Sequence, residues 1–283
     1  MAAFDSLANC RVAILGLGLM GGSLALRLRG QCARLLGCDP DPATLRLARQ
    51  MGLVELVSDS AAEVVPQADL VVLAAPVGAI LRILDELPAL QPQPAAVLDL
   101  GSTKAEILRR MQALPERFDP LGGHPMCGKE MGGLANADAW LFEGATFALT
   151  PLPRTSPPVR QIAEQLVSVI GAKPLWLEAE AHDRWVAATS HVPYLAANAL
   201  AAITAPEARP LVGPGLRSST RLAPTSWSMM RPVLETNREN ILTGLQRLRQ
   251  QIEALEDALA AGDLQALGRL TAQGASNYER LMK

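Results

Sequence analysis

The chain has 283 residues, 49% of them hydrophobic and 19% charged, which excludes disordered and fibrous classes and allows two globular domains. A formal net charge of −2 excludes the basic footprint of a nucleic-acid or anionic-lipid partner, so the expected partner is a small molecule. Cys10, Cys32, Cys38 and Cys127 form no C-x-x-C pair, which points to a reducing, cytoplasmic setting with neither a disulfide framework nor a metal site.

Residues 1–10 carry Asp5 and no basic run ahead of an apolar stretch, so they do not read as a signal peptide. The apolar run 12–28 is glycine-rich and broken by Arg27, too short to span a bilayer, and no membrane partner is expected. From residue 11 to 177, apolar runs at 11–15, 35–39, 70–74, 96–100, 120–122, 146–149 and 174–177 read as strands. They alternate with helical stretches at 24–29, 43–51, 80–87, 104–112 and 159–170, the pattern of βαβ units in a mostly parallel sheet. The strands are apolar throughout, so both faces of the sheet should be covered. The proline-dense segment 150–158 reads as a surface loop.

After Glu178 the pattern turns entirely helical, which divides the chain into an N-terminal Rossmann-type α/β domain, 1–178, and an all-α domain, 179–283. Within the second, 235–260 reads as one helix in which Ile241, Leu245, Leu248, Ile252, Leu255 and Leu259 recur at steps of four and three. Such a heptad seam is either an internal core or a subunit interface. Ala261 and Gly262 end this helix, and Asp263 is placed to cap a last one.

Gly16-Leu17-Gly18-Leu19-Met20-Gly21 is a G-x-G-x-x-G directly after the first strand and at the start of a helix. In that setting Gly16 allows the tight turn, Gly18 lets the backbone approach a pyrophosphate, and Gly21 lets helix and strand pack closely. Asp39 lies 23 residues after Gly16, at the end of the second strand, where a carboxylate binds an adenosine 2′-hydroxyl and repels a 2′-phosphate. No arginine follows in Pro40-Asp41-Pro42, so NAD is expected over NADP; the other reading of Asp39 is a cap on the next turn. Asp99-Leu100-Gly101-Ser102-Thr103-Lys104 ends another strand, and Gly122-Gly123-His124-Pro125-Met126-Cys127-Gly128 follows. Ligands of open α/β sheets bind beyond the carboxyl ends of strands, so Ser102 and His124 should both reach the nicotinamide.

These segments, with LVVLAAPV, FALTP, ATSHVPY and SSTR, make nearly the whole chain resemble the prephenate/arogenate dehydrogenase family of tyrosine biosynthesis. The resemblance implies oxidative decarboxylation of prephenate to 4-hydroxyphenylpyruvate with hydride transfer to NAD, or the same chemistry on arogenate, by a homodimer joined through its C-terminal helices. It implies that His124 is the base and that Ser102 holds the substrate hydroxyl or the imidazole, the alternative being a helix cap. Leu19, Met20, Ala75, Pro76 and Ser102 would join the glycines and Asp39 in binding the cofactor. Arg221 would hold the ring carboxylate, with Arg217 as a second cation. His191 would line the pocket or pack within its helix, and Glu130 would stand near the entry. Tyr194 occupies a position near the substrate's side chain where some relatives carry histidine. His182, after Glu180 at a helix start, is expected at the surface. A more distant alternative is another β-hydroxyacid-type dehydrogenase or a pyrroline-carboxylate reductase. A non-catalytic NAD-sensing regulator is disfavoured by His124, Ser102 and Arg221.

Overall fold

Short apolar runs between residues 11 and 176 pair into one sheet because the connections between them return each strand beside an earlier one. The computed structural model describes residues 6–129 and 131–282. The strands are β1 (Arg11–Leu15), β2 (Arg34–Cys38), β3 (Leu56–Ser58), β4 (Leu70–Leu73), β5 (Ala95–Asp99), β6 (Phe118–Pro125), β7 (Thr146–Pro151) and β8 (Lys173–Trp176). The helices between them are α1 (Leu19–Leu28), α2 (Pro42–Gln50), α3 (Ala61–Val64), α4 (Val77–Leu90), α5 (Ala105–Gln112) and α6 (Pro157–Val169). The order β3-β2-β1-β4-β5-β6-β7-β8 is parallel except between β6 and β7. Val12, Ile14, Val72 and Leu98 enter the core on one face of this sheet, and Ala13, Leu15, Leu73 and Val97 that on the other, so the central strands β1, β4 and β5 are apolar on both faces.

Several elements differ from the sequence reading. β3 was not expected, because three residues are too few to show a period. α1 begins at Leu19, five residues before the expected start, since Gly21 and Gly22 lower its apparent helix propensity. β6 runs for eight residues instead of three, although it contains Pro120, Gly122, Gly123 and Pro125. A Cβ on Gly122 would stand 2.1 Å from Thr150 Oγ1, and one on Gly123 would stand 2.7 Å from the Asp99 carbonyl oxygen. The two glycines let β6 lie between β5 and β7 and carry His124 to the strand's end.

Beyond β8 follow α7 (Ala179–Val186), a π turn (Ala187–His191), α8 (Val192–Ile203), α9 (Pro214–Ser219), α10 (Trp227–Thr236), α11 (Arg238–Ala260) and α12 (Leu264–Met282). The expected continuous helix over 235–260 is broken at Asn237, whose backbone leaves the helical region at φ −121, ψ 26. Its buried amide donates instead to the Asp183 carbonyl oxygen, 2.7 Å away, and approaches His191 Nδ1 at 3.2 Å. Along α11 Ile241 is buried, while Ile252, Leu255 and Leu259 are exposed, so the described residues cover the lower half of the seam only in part. Ala179–Ile203 is long and apolar enough to cross a membrane by length and composition, yet it buries His182, Asp183 and His191 and packs on α5 and α11.

Candidate active site

β1 and β4 are neighbours from which the chain departs to opposite sides, and the crevice at their carboxyl ends is where an open α/β sheet binds ligands. Gly16 there has φ +101, and a Cβ on it would lie 2.4 Å from the Ala74 carbonyl oxygen. A Cβ on Gly21 would lie 1.8 Å from the Gly16 carbonyl oxygen, whereas one on Gly18 would meet nothing within 4 Å. Gly16 and Gly21 are therefore packing glycines, and Gly18 faces open space. That space is a cavity of about 730 Å³, walled on one side by Gly18, Leu19 and Met20 and on another by Ala75 and Pro76. No side chain caps α1, so the N–H groups of its first turn are available to an anion.

Asp39 stands just past β2 and outside this wall. Its carboxylate accepts from Leu17 N at 2.8 Å and from Asp41 N at 2.9 Å, tying the glycine turn to the start of α2. Asp41, and not Asp39, caps α2 through Ala43 N and Thr44 N.

Ser102 and His124 share the opposite wall of the cavity. The alternative reading of Ser102 as a helix cap does not hold, because the α5 terminus is capped from a distant part of the chain. Asp183 accepts from Lys104 N at 2.7 Å and from Ala105 N at 2.9 Å. Beneath this wall a fully buried ion pair joins Lys104 to Asp99. Lys104 Nζ also donates to the Gly123 carbonyl oxygen at 2.6 Å, and Asp99 accepts from Gly101 N and Gly123 N at 2.8 and 3.2 Å. Burial pushes the Asp99 carboxyl up and the Lys104 amine down, and the contacts among them leave no polar atom of the pair unmatched.

His124 has one edge on the cavity, and its Nδ1 lies 2.8 Å from His182 Nε2. His182 is not at the surface: it is 2% exposed, and its Nδ1 lies 2.8 Å from Asp183 Oδ1. Burial, aided by the neighbouring His182, Lys104 and His191, holds His124 well below the usual histidine range, so the imidazole is neutral and able to accept a proton. Burial also pushes the Cys127 thiol in the cavity wall up to about 11, which keeps it protonated and unsuited to thiolate chemistry.

The third wall comes from the helical half, with Arg221, Thr225 and Ser226 as its polar members. Arg217 is exposed on α9 and is not part of the wall. His191 and Tyr194 are buried behind it, His191 against Asn237 and Tyr194 in the core with Met230 and Val233. Glu130 lies outside the described residues.

Residues 23–175 match the family described as "Prephenate dehydrogenase, nucleotide-binding domain", and residues 178–273 match "Prephenate dehydrogenase, dimerization domain". This chain belongs to the prephenate dehydrogenase family. It is 31% identical over 271 residues to the prephenate dehydrogenase of Bacillus subtilis, covering 91% of this chain and 72% of that one. The crystal structure of prephenate dehydrogenase from A. aeolicus in complex with hydroxyphenyl propionate and NAD+ has a TM-score of 0.89 at 26% identity, covering 98% of this chain and 100% of that one. The Synechocystis arogenate dehydrogenase structure has a TM-score of 0.82 at 26% identity, covering 96% and 99%.

In this prephenate dehydrogenase family member the residues that sequence reasoning missed lie one layer behind the cavity. Asp99 and Lys104 stand five residues apart around a strand end, a spacing with no signature of its own. His182 and Asp183 sit in an otherwise ordinary amphipathic helix, and only its docking on α5 shows which way they point. Asn237 could have been suspected from its weak helix propensity within the predicted seam.

Proposed function

We propose that this chain oxidises and decarboxylates prephenate to 4-hydroxyphenylpyruvate with NAD, working as a cytoplasmic homodimer with a dinucleotide domain over 1–178 and a helical domain over 179–283. The observation that carries this reading is a single neutral imidazole, His124, on a cavity shared by the open Gly18 turn and the Arg221 segment. NAD fits the residues present: Gly18 leaves room for a pyrophosphate, the first turn of α1 offers its N–H groups, and the Asp39 carboxylate ends β2. When bound, NAD supplies the hydride acceptor.

His124 Nε2 takes the proton from the ring hydroxyl, and Ser102 orients that hydroxyl beside it. Arg221 holds the ring carboxylate by a planar, charge-assisted contact until the carbon–carbon bond breaks and CO2 leaves. The electron pair of that bond stays in the ring, which becomes aromatic as the hydride departs. Similarity to the Synechocystis arogenate dehydrogenase favours a second reading, in which arogenate is oxidised to tyrosine at the same site.

Turnover of the purified chain with prephenate and with arogenate, each with NAD and with NADP, tests the reading. Prephenate with NAD should be fastest; faster turnover with NADP would contradict the role given to Asp39, and faster turnover of arogenate would establish the second reading. His124→Asn should bind NAD as tightly as the unaltered chain while kcat falls by about 10²–10⁴-fold, the usual share of a general base. Undiminished turnover would remove His124 from that role.

A further inference from the structure

A base is useful only if its free lone pair points at the substrate, and in a neutral imidazole that depends on which nitrogen holds the proton. His124 has Nε2 and Nδ1, and among the described residues only Nδ1 has a protein partner, His182 Nε2 at 2.8 Å. Asp183 settles which nitrogen of that partner faces a carboxylate. Its Oδ1 accepts from Lys104 N and its Oδ2 from Ala105 N, so the carboxylate is an acceptor on both oxygens, and His182 Nδ1–H donates to Oδ1 at 2.8 Å. With Nδ1–H committed to Asp183, a neutral His182 presents a bare Nε2, and His124 must donate its own Nδ1–H to it. The Nε2 of His124 is then left unprotonated.

We infer that His182 and Asp183 are positioning residues for the reaction, holding His124 in the Nδ1–H tautomer and sharing the positive charge that His124 acquires with the substrate's proton. The inference rests on the reading of His124 as the base. The two residues are held in turn by their surroundings. Asn237 Nδ2 donates to the Asp183 carbonyl oxygen at 2.7 Å, and both imidazole rings meet edge to face at 67° with centroids 5.0 Å apart.

The charged and titratable groups around His124 explain why such help is needed. Lys104 faces it from the start of α5, His182 from α7 and His191 from the π turn, and burial together with the positive charge of Lys104 opposes a proton on it. The Lys104 charge is matched by Asp99 at the end of β5. Among the described residues Asp183 is the carboxylate left to face an imidazolium, and it does so through one intervening ring. The arrangement has the logic of a carboxylate that orients a catalytic imidazole without taking its proton, extended by one histidine.

Nitrogen NMR of the wild-type protein without substrate reads the tautomer directly. The expected result at neutral pH is a protonated Nδ1 and a bare Nε2 on His124; an Nε2–H tautomer would overturn the inference. His182→Leu removes the acceptor and should lower kcat by about 10²-fold or more, with the KM for NAD and for prephenate changed less than about threefold. His182→Gln can accept from His124 and donate to Asp183 at once, and should recover at least about tenfold of that loss. A wild-type kcat in His182→Leu, or a glutamine variant no better than leucine, would refute the relay. Because the tautomer is measured without turnover, a chain inactive on prephenate would overturn the assigned reaction and leave the relay standing.

Discussion

His191 shows how burial at a single residue ties stability to pH. Packed against Asn237 and shielded from water, its pKa is lowered from 6.5 to about 4, and His124 is pushed in the same direction. A histidine whose folded pKa is depressed favours the folded state fully only above its unfolded value, where both states are neutral. As pH falls below 6.5, the unfolded chain takes up protons that the folded chain refuses, so stability is lost progressively down to about 4. His191 alone should contribute on the order of 3 kcal/mol of this loss. Chemical denaturation measured across that range should show the decline, and His191→Gln should flatten it; a variant with the same pH slope would show that His191 titrates elsewhere. The cavity-lining residues that the sequence marked at this scale were those with a motif around them, Gly18, Ser102 and His124. His182 was misplaced because one polar residue at a helix start looks alike whether that turn faces water or another helix.

At the scale of elements, the glycine turn works because its three glycines do different jobs. Gly18→Ala has room for its methyl group and an ordinary φ of −73, so it should fold with unchanged stability yet bind NAD more weakly. Gly21→Ala would drive a methyl group into the Gly16 carbonyl oxygen and should lower stability by about 1–3 kcal/mol, as overpacked sites do. Thermal unfolding paired with NAD titration separates the two, and equal stability of both variants would contradict this division of labour. Most strands and helices here were legible because apolar runs and their flanking caps are local. β6 was shortened in the reading because its glycines and prolines are punctuation by propensity, while its length is set by pairing with β5 on one side and β7 on the other. Asn237 breaks the long helix for a similarly distant reason, the carbonyl of Asp183.

Across the whole molecule, the helical half has more apolar surface than one chain covers. Ile252 is 54% and Leu259 65% exposed, and α12 buries none of its side chains. A 19-residue helix with no buried face gains little from propensity alone and needs a surface to pack on. A second copy is the cover proposed above, and residues 178–273 match a family described as a dimerization domain. The double variant Ile252→Glu, Leu259→Glu should sediment as a monomer at micromolar concentration while the unaltered chain sediments as a dimer. An undisturbed dimer would place the interface on another face.

By itself the sequence determined what depends on neighbours in the chain: the alternation of strands and helices, the glycine turn after β1, the carboxylate after β2 and the histidine between glycines and proline. Only the tertiary structure decided what stands behind that histidine. The α5 terminus, the start of α7 and the break before α11 meet at Asp183 although 79 residues separate Lys104 from it and 54 separate it from Asn237. The physical reason is that buried donors and acceptors must be satisfied by whatever packing brings within about 3 Å, and no local pattern records which distant segment that will be.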